Sequence, residues 1–143
     1  MTELLFNICN ITILIVWTAI LFLPRTNFSR LLISFPWIPF GISFLYIYFI
    51  IISGGLPDAD FSTLDGILSL FKKATPESAA AGWLHYLAFD FLVGTWIIRH
   101  SQKHEIKHIF IIVPLLFTFM MGPVGILIYS ILYFGNKKLK KAN

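Results

Sequence analysis

The chain has 143 residues, 57% of them apolar and 13% charged, with fifteen phenylalanines and a mean hydropathy of +0.81. That balance excludes an ordinary soluble enzyme and makes lipid the main solvent. The net charge of +4 does not indicate nucleic acid, because Lys137, Lys138, Lys140 and Lys141 crowd beside the last apolar run with no groove-sized basic face, and the lone Cys9 excludes an internal disulfide or a cysteine-built metal site.

Residues 4–23 read as a first membrane span. The preceding Met-Thr-Glu lacks the positive region of a secretory signal, so this span is expected to remain uncleaved. It carries Asn7 and Asn10, three apart and therefore on one face, and places Trp17 deep enough to pack rather than to sit at the interface. Pro24 closes it, and Arg25 to Arg30 forms a polar turn. A second span covers 31–53, with Pro36 and Pro39 predicting a kink or a late helix start and Gly54-Gly55 ending it.

Phe61, Leu64, Leu68 and Phe71 recur at steps of three, four and three, the pattern of an amphipathic helix over 62–73 lying in the interface plane, with Ser62 and Asp65 as its expected cap. Thr75-Pro76-Glu77 is a strong helix start and opens a third span over 77–99. The fourth span, 109–134, is interrupted by Pro114 and by Gly122-Pro123-Val124-Gly125. On a wheel Pro114, Thr118, Gly122, Gly125 and Tyr129 share one side, a small-residue stripe that admits another backbone and leaves a homodimer open, and Pro123 predicts a kink near the depth of Asp90. A basic tail fills 136–143.

The expected fold is therefore all-α: one integral membrane domain over 1–143, a four-transmembrane-helix bundle with one in-plane amphipathic helix between spans 2 and 3. It is multi-pass, placed in a bacterial inner membrane, with both termini on the cytoplasmic side. Charge hardly decides that orientation. Lys72, Lys73 and the four tail lysines stand against Arg25, Arg30, Arg99, Lys103 and Lys107, six to five.

Asp90 is the candidate centre. An ionisable group near the middle of a span is costly there and marks a functional site by default. Trp83, Tyr86, Leu87, Asp90 and Gly94 share a helix face, and Tyr86 lies four residues before Asp90, within reach of a hydrogen bond. His85 is set off by about 140° round the helix at 100° per residue, so it does not readily share a spot with Asp90. The bland alternative is an aspartate hydrogen-bonded to Asn7, Asn10, Thr118 or Tyr129 that only locks the bundle. A third, a proton-coupled carrier, has only Asp90, Thr118 and Asn10 to form a polar path. His100, His104 and His108 are spaced four apart, but the helix must break inside the series, so no metal is expected. Phosphate loops, nucleophile elbows and paired cysteines are absent from the sequence, and no cofactor is expected.

Phe61-Ser-Thr-Leu-Asp-Gly-Ile-Leu-Ser-Leu-Phe71, Gly82-Trp-Leu-His-Tyr-Leu-Ala-Phe-Asp-Phe-Leu-Val-Gly94 and Leu116-Phe-Thr-Phe-Met-Met-Gly-Pro-Val-Gly125 together resemble the small four-span membrane family typified by plant neoxanthin synthase, its bacterial-type members above all. The chain departs from many relatives at Thr95, where they carry a basic residue, and from the plant enzymes in having no plastid transit peptide, so the resemblance does not extend to neoxanthin as product. It implies an isomerase or lyase of carotenoid or other isoprenoid lipids: an epoxide opens while the conjugated chain loses a proton, with no net redox change. That chemistry needs an acid at oxygen and a base at carbon. By this resemblance Asp90 is the acid and His85 the base, Trp83, Tyr86 and Tyr129 stack on the polyene, and Asn10, Thr118, Gly122 and Gly125 complete the substrate-facing set. The partners implied are the bilayer and a hydrophobic polyene or isoprenoid; the alternative is a non-catalytic helix bundle that binds lipid or assists a partner.

Overall fold

A computed structural model describes residues 1–55 and 59–142, with side chains through 138. The described residues form seven α-helices and no strand. They are α1 (Thr2–Phe22), α2 (Asn27–Ser34), α3 (Trp37–Ile52), α4 (Leu64–Lys72), α5 (Pro76–Lys103), α6 (His108–Met121) and α7 (Pro123–Ala142).

The helix α5 is the axis on which the others pack. It has 28 residues, about 42 Å at 1.5 Å per residue, the thickness of a bilayer with its headgroups. Its start is well defined. The Thr75 hydroxyl accepts from the Ser78 amide at 3.2 Å, the Ser78 hydroxyl accepts from the Thr75 amide at 2.8 Å, and Pro76 fills a first-turn position that needs no donor. Its end lies four residues beyond the expected 99, so His100 belongs to the helix and the chain turns at His104-Glu105.

The helix α1 runs parallel to α5. The Thr2 hydroxyl donates to Glu77 at 2.9 Å at one end, the Trp83 indole donates to Asn10 at 2.8 Å, and Trp17, 1% exposed, packs edge-on against Phe91 with ring centres 5.6 Å apart. These two helices are long and apolar enough to cross a membrane.

The second expected span is bent by 57° at Phe35-Pro36 into α2 and α3, and counts as a third crossing only if the pair is one span. The proline kink is where the sequence placed it, because Pro36 supplies no amide and holds Phe35 extended at φ −144°. Pro39 falls in the first turn of α3, where a missing donor costs nothing. The expected polar turn at 25–30 is partly helical, since Thr26 caps α2 and the Ser29 hydroxyl donates back to the Ala19 and Leu23 carbonyls.

The amphipathic helix is present as α4, with Phe61, Leu64 and Phe71 all exposed. Its cap is Thr63, not Ser62: the Thr63 hydroxyl accepts from Gly66, while Ser62 and Thr63 both donate to Asp60. Those bonds, Ser62 foremost, hold the Asp60 carboxyl down to about 2. The first residues of this connection, 56–58, lie outside the described residues.

The largest departure is in the last third of the chain. In place of a single kinked span over 109–134, α6 and α7 fold back on each other as a hairpin. A Cβ on Gly125 would strike the hydroxyl of Thr118 and lie 2.6 Å from the Pro114 carbonyl oxygen, eleven residues earlier. In one continuous helix those residues would be about 16 Å apart along the axis. The reversal is made at Gly122, with φ 23° and ψ −81°, a backbone that L side chains rarely adopt. Pro123 acts as the first residue of a new helix rather than as a kink within an old one. The small-residue stripe does admit another backbone, as expected, but that backbone is the chain's own return helix. Gly122 and Gly125 are consequently buried within the chain.

The hairpin also alters the ends. The His108 Nε2–H donates to the Leu21 carbonyl at 2.9 Å, so α6 starts beside the last turn of α1, and Tyr133 of α7 meets His104 with ring centres 4.8 Å apart. The last turns of α7 therefore lie at the far end of α5 and the first turn of α1 at its start.

Candidate functional site

With 14 residues, α6 reaches about 21 Å, half the length of α5. It fills the groove between α1 and α5 over that half only. Its residue Phe119 packs at a tilt against Trp17, ring centres 5.4 Å apart, and Trp17 in turn lies over Gly94, whose added Cβ would come within 2.5 Å of the indole. Above the hairpin tip the same groove is open. At the starts of α1 and α5 a cleft of about 620 Å³ is lined by Phe6, Pro76, Ala79, Ala80 and Trp83, with Thr2 and Glu3 beside it.

Asp90 sits at the level of the hairpin tip. It is fourteen residues into α5, half-buried, with its Oδ1 against Gly122 at the tip of the hairpin. A side chain at position 122 would collide with that oxygen, so glycine is required there both by the backbone and by the approach of Asp90. Among the described residues the carboxyl makes no hydrogen bond. Each partner proposed for a structural lock is engaged elsewhere or turned away: Thr118 donates to the Pro114 carbonyl at 2.9 Å, Asn10 donates to Phe6 and accepts from Trp83, Tyr129 pairs with His100, and Asn7 is exposed. A half-buried carboxyl without partners keeps both oxygens available to a bound molecule.

The other sequence candidates divide into groups. Trp83 lies seven residues before Asp90 on the same stripe, two turns above it, and forms the wall of the open groove together with Phe6, ring centres 6.4 Å apart. Asn10 is joined to this wall through Trp83. Thr118, Gly122 and Gly125 build the hairpin and support Asp90 from below. Tyr86 is turned away: it is 60% exposed and its ring edges His85 rather than bonding to Asp90. His85 stacks with Phe89 at 4.7 Å and faces Tyr46 of α3 at 5.9 Å, on a different side of α5 from Gly122. The structure therefore does not bring His85 and Asp90 together.

Tyr129 is also elsewhere. It is 1% exposed and shares a 2.7 Å hydrogen bond with His100 Nδ1, ten residues beyond Asp90 and about 15 Å down the axis. There it belongs to an aromatic cluster in which Trp96 stacks on His100, and His100 and His104 lie 4.4 Å apart. His108 begins the next helix and bonds to Leu21, so the four-residue series does not converge, and among the described residues no group of three potential metal ligands occurs. Phe6 and Phe119, which sequence reading did not single out, complete the groove and its floor. Only their helix-face position relative to Asn10 and Thr118 could have pointed to them.

Neither a curated protein nor a solved structure matches the sequence. The sequence model of one family matches residues 4–129, a stretch that includes α1, the bent pair, α4, Asp90 and the hairpin through Tyr129. The chain belongs to that family, described as ABA DEFICIENT 4-like.

Proposed function

We propose that the protein is a membrane-embedded isomerase or lyase of a carotenoid or other isoprenoid lipid, with Asp90 as the group that moves the proton. The observation that carries this reading is the carboxyl of Asp90, which has no hydrogen-bond partner among the described residues and lies half-buried midway along α5 against the tip of the α6–α7 hairpin. A carboxyl is a costly group to hold at such a position for packing alone.

The reaction type is redox-neutral. An epoxide C–O bond breaks, its oxygen takes up one proton, and a carbon of the same molecule releases one. With His85 on another side of the helix, one carboxyl serves both transfers, donating from one oxygen and accepting on the other, so that it ends in its starting protonation state. Trp83 and Phe6 supply the flat apolar wall along which a polyene lies. In the membrane, α1, the α2–α3 pair and α5 cross the bilayer, α4 floats in the interface, and the α6–α7 hairpin enters halfway.

The test is Asp90→Asn, which keeps the side chain's shape and removes the transferable proton. Folded protein with turnover of its lipid substrate abolished is the expected result. Undiminished turnover would exclude the acid-base role and favour a non-catalytic lipid-binding bundle.

A further inference from the structure

The hairpin redistributes the charges of the chain. With α6 and α7 folded back, Arg25 and Arg30 around the start of α2, Arg99 and Lys103 in the last turns of α5, Lys107 before α6, and positions 137, 138, 140 and 141 in the last turns of α7, all lysines, fall at one end of the bundle. That is nine of the eleven basic residues. The opposite end keeps only Lys72 and Lys73, accompanied by Glu3, Asp60, Asp65 and Glu77. The two ends are separated by the length of α5, about 42 Å. A kinked fourth span divides the same charges six to five, which orients nothing, whereas the reversal at Gly122 divides them nine to two. The fold and the charge pattern thus agree through independent observations.

We infer that this basic end is an interaction surface for anionic lipid headgroups in the cytoplasmic leaflet, and that α6–α7 is a re-entrant hairpin entering from that side. Short basic connections are retained on the cytoplasmic face, where each lysine or arginine near an anionic surface contributes on the order of 1 kcal/mol. The amino terminus and α4 then lie on the opposite face. Granted the proposed role of Asp90, the cleft between the starts of α1 and α5 lies on that opposite side, and substrate entry is assigned to it.

The experiment is site-directed labelling in a Cys9→Ala background with single cysteines at three exposed positions: Ser62→Cys, Gln102→Cys and Lys137→Cys. A membrane-impermeant maleimide is applied to intact and to permeabilised cells. Positions 62 and 102 flank α5 and must lie on opposite sides, so position 137 decides. The expected result is labelling of 62 in intact cells, with 102 and 137 labelled only after permeabilisation. Labelling of 137 together with 62 would overturn the hairpin in favour of a crossing span, and labelling of 102 and 137 together from outside would overturn the lipid assignment of the basic end. A carboxyl-terminal fusion to a fluorescent protein that matures only in the cytoplasm gives the same decision if a cysteine variant fails to insert: fluorescence is expected, and its absence with inserted protein overturns the inference. Lost turnover in Asp90→Asn bears on the catalytic reading alone, because the labelling pattern does not depend on activity.

Discussion

Gly125→Ala adds one methyl group where α7 crosses α6, and the structure leaves it no room. The Cβ would meet the Thr118 hydroxyl and the Thr118 amide nitrogen and lie 2.6 Å from the Pro114 carbonyl oxygen. Two of these three atoms belong to backbone, which cannot swing aside as a side chain can. The cost should therefore sit toward the upper part of the overpacking range, about 2–3 kcal/mol. At roughly 2–4 °C per kcal/mol for a chain near this size, the midpoint of thermal unfolding in detergent should fall by roughly 5–10 °C. The internal control is Gly135→Ala in the same helix, where nothing lies within 4 Å of the added Cβ. Alanine there should stabilise by roughly 0.5–1 kcal/mol through its better helix propensity. Opposite signs are the signature of the hairpin. Equal small stabilisation by both substitutions would mean that Gly125 faces open space, as on a straight helix, and would refute the reversal at Gly122.

Other perturbations probe separate parts of the fold. Tyr129→Phe leaves His100 Nδ1 without its 2.7 Å partner and should cost about 1–2 kcal/mol, read as a lower unfolding midpoint. Thr75→Ala removes half of the reciprocal cap on α5 and should cost about 1 kcal/mol, seen as faster amide exchange in its first turn. The turn before α4 should respond to acid. The Asp60 carboxyl is held at about 2 in the fold, below its ordinary 3.8, so its contribution is complete above the ordinary value and is lost as pH falls through about 2. Amide exchange at Gly66 should quicken over that window relative to Asp60→Asn, which has no carboxylate to titrate; identical profiles would refute the linkage.

Much of the fold was legible because it depends on short-range rules. Thr75-Pro76 had to start a helix wherever the chain went, Pro36 had to break one, and the three- and four-residue spacing from Phe61 to Phe71 could only be an amphipathic helix. Asp90 stood out for the same reason, as a carboxyl in an apolar run. The wheel also separated His85 from it, because side-chain direction on a helix follows from sequence spacing. What spacing could not separate was Tyr86 from the Trp83 stripe, since the two differ by less than a turn and only the position of α1 chooses between them.

The sequence by itself determined that the chain is helical and apolar, where most helices begin, and which ionisable residue is out of place. Tertiary structure alone decided what Gly122-Pro123 does. That dipeptide is compatible with a kink in one long helix or with the end of one helix and the start of another, and both satisfy local backbone preferences. The choice falls to packing between distant residues: Thr118 and Pro114 receive Gly125, Phe119 of α6 settles against Trp17, which itself covers Gly94, and Asp90 meets the tip. From that one choice follow the half-filled groove, the placement of the termini and the gathering of nine basic residues at one end.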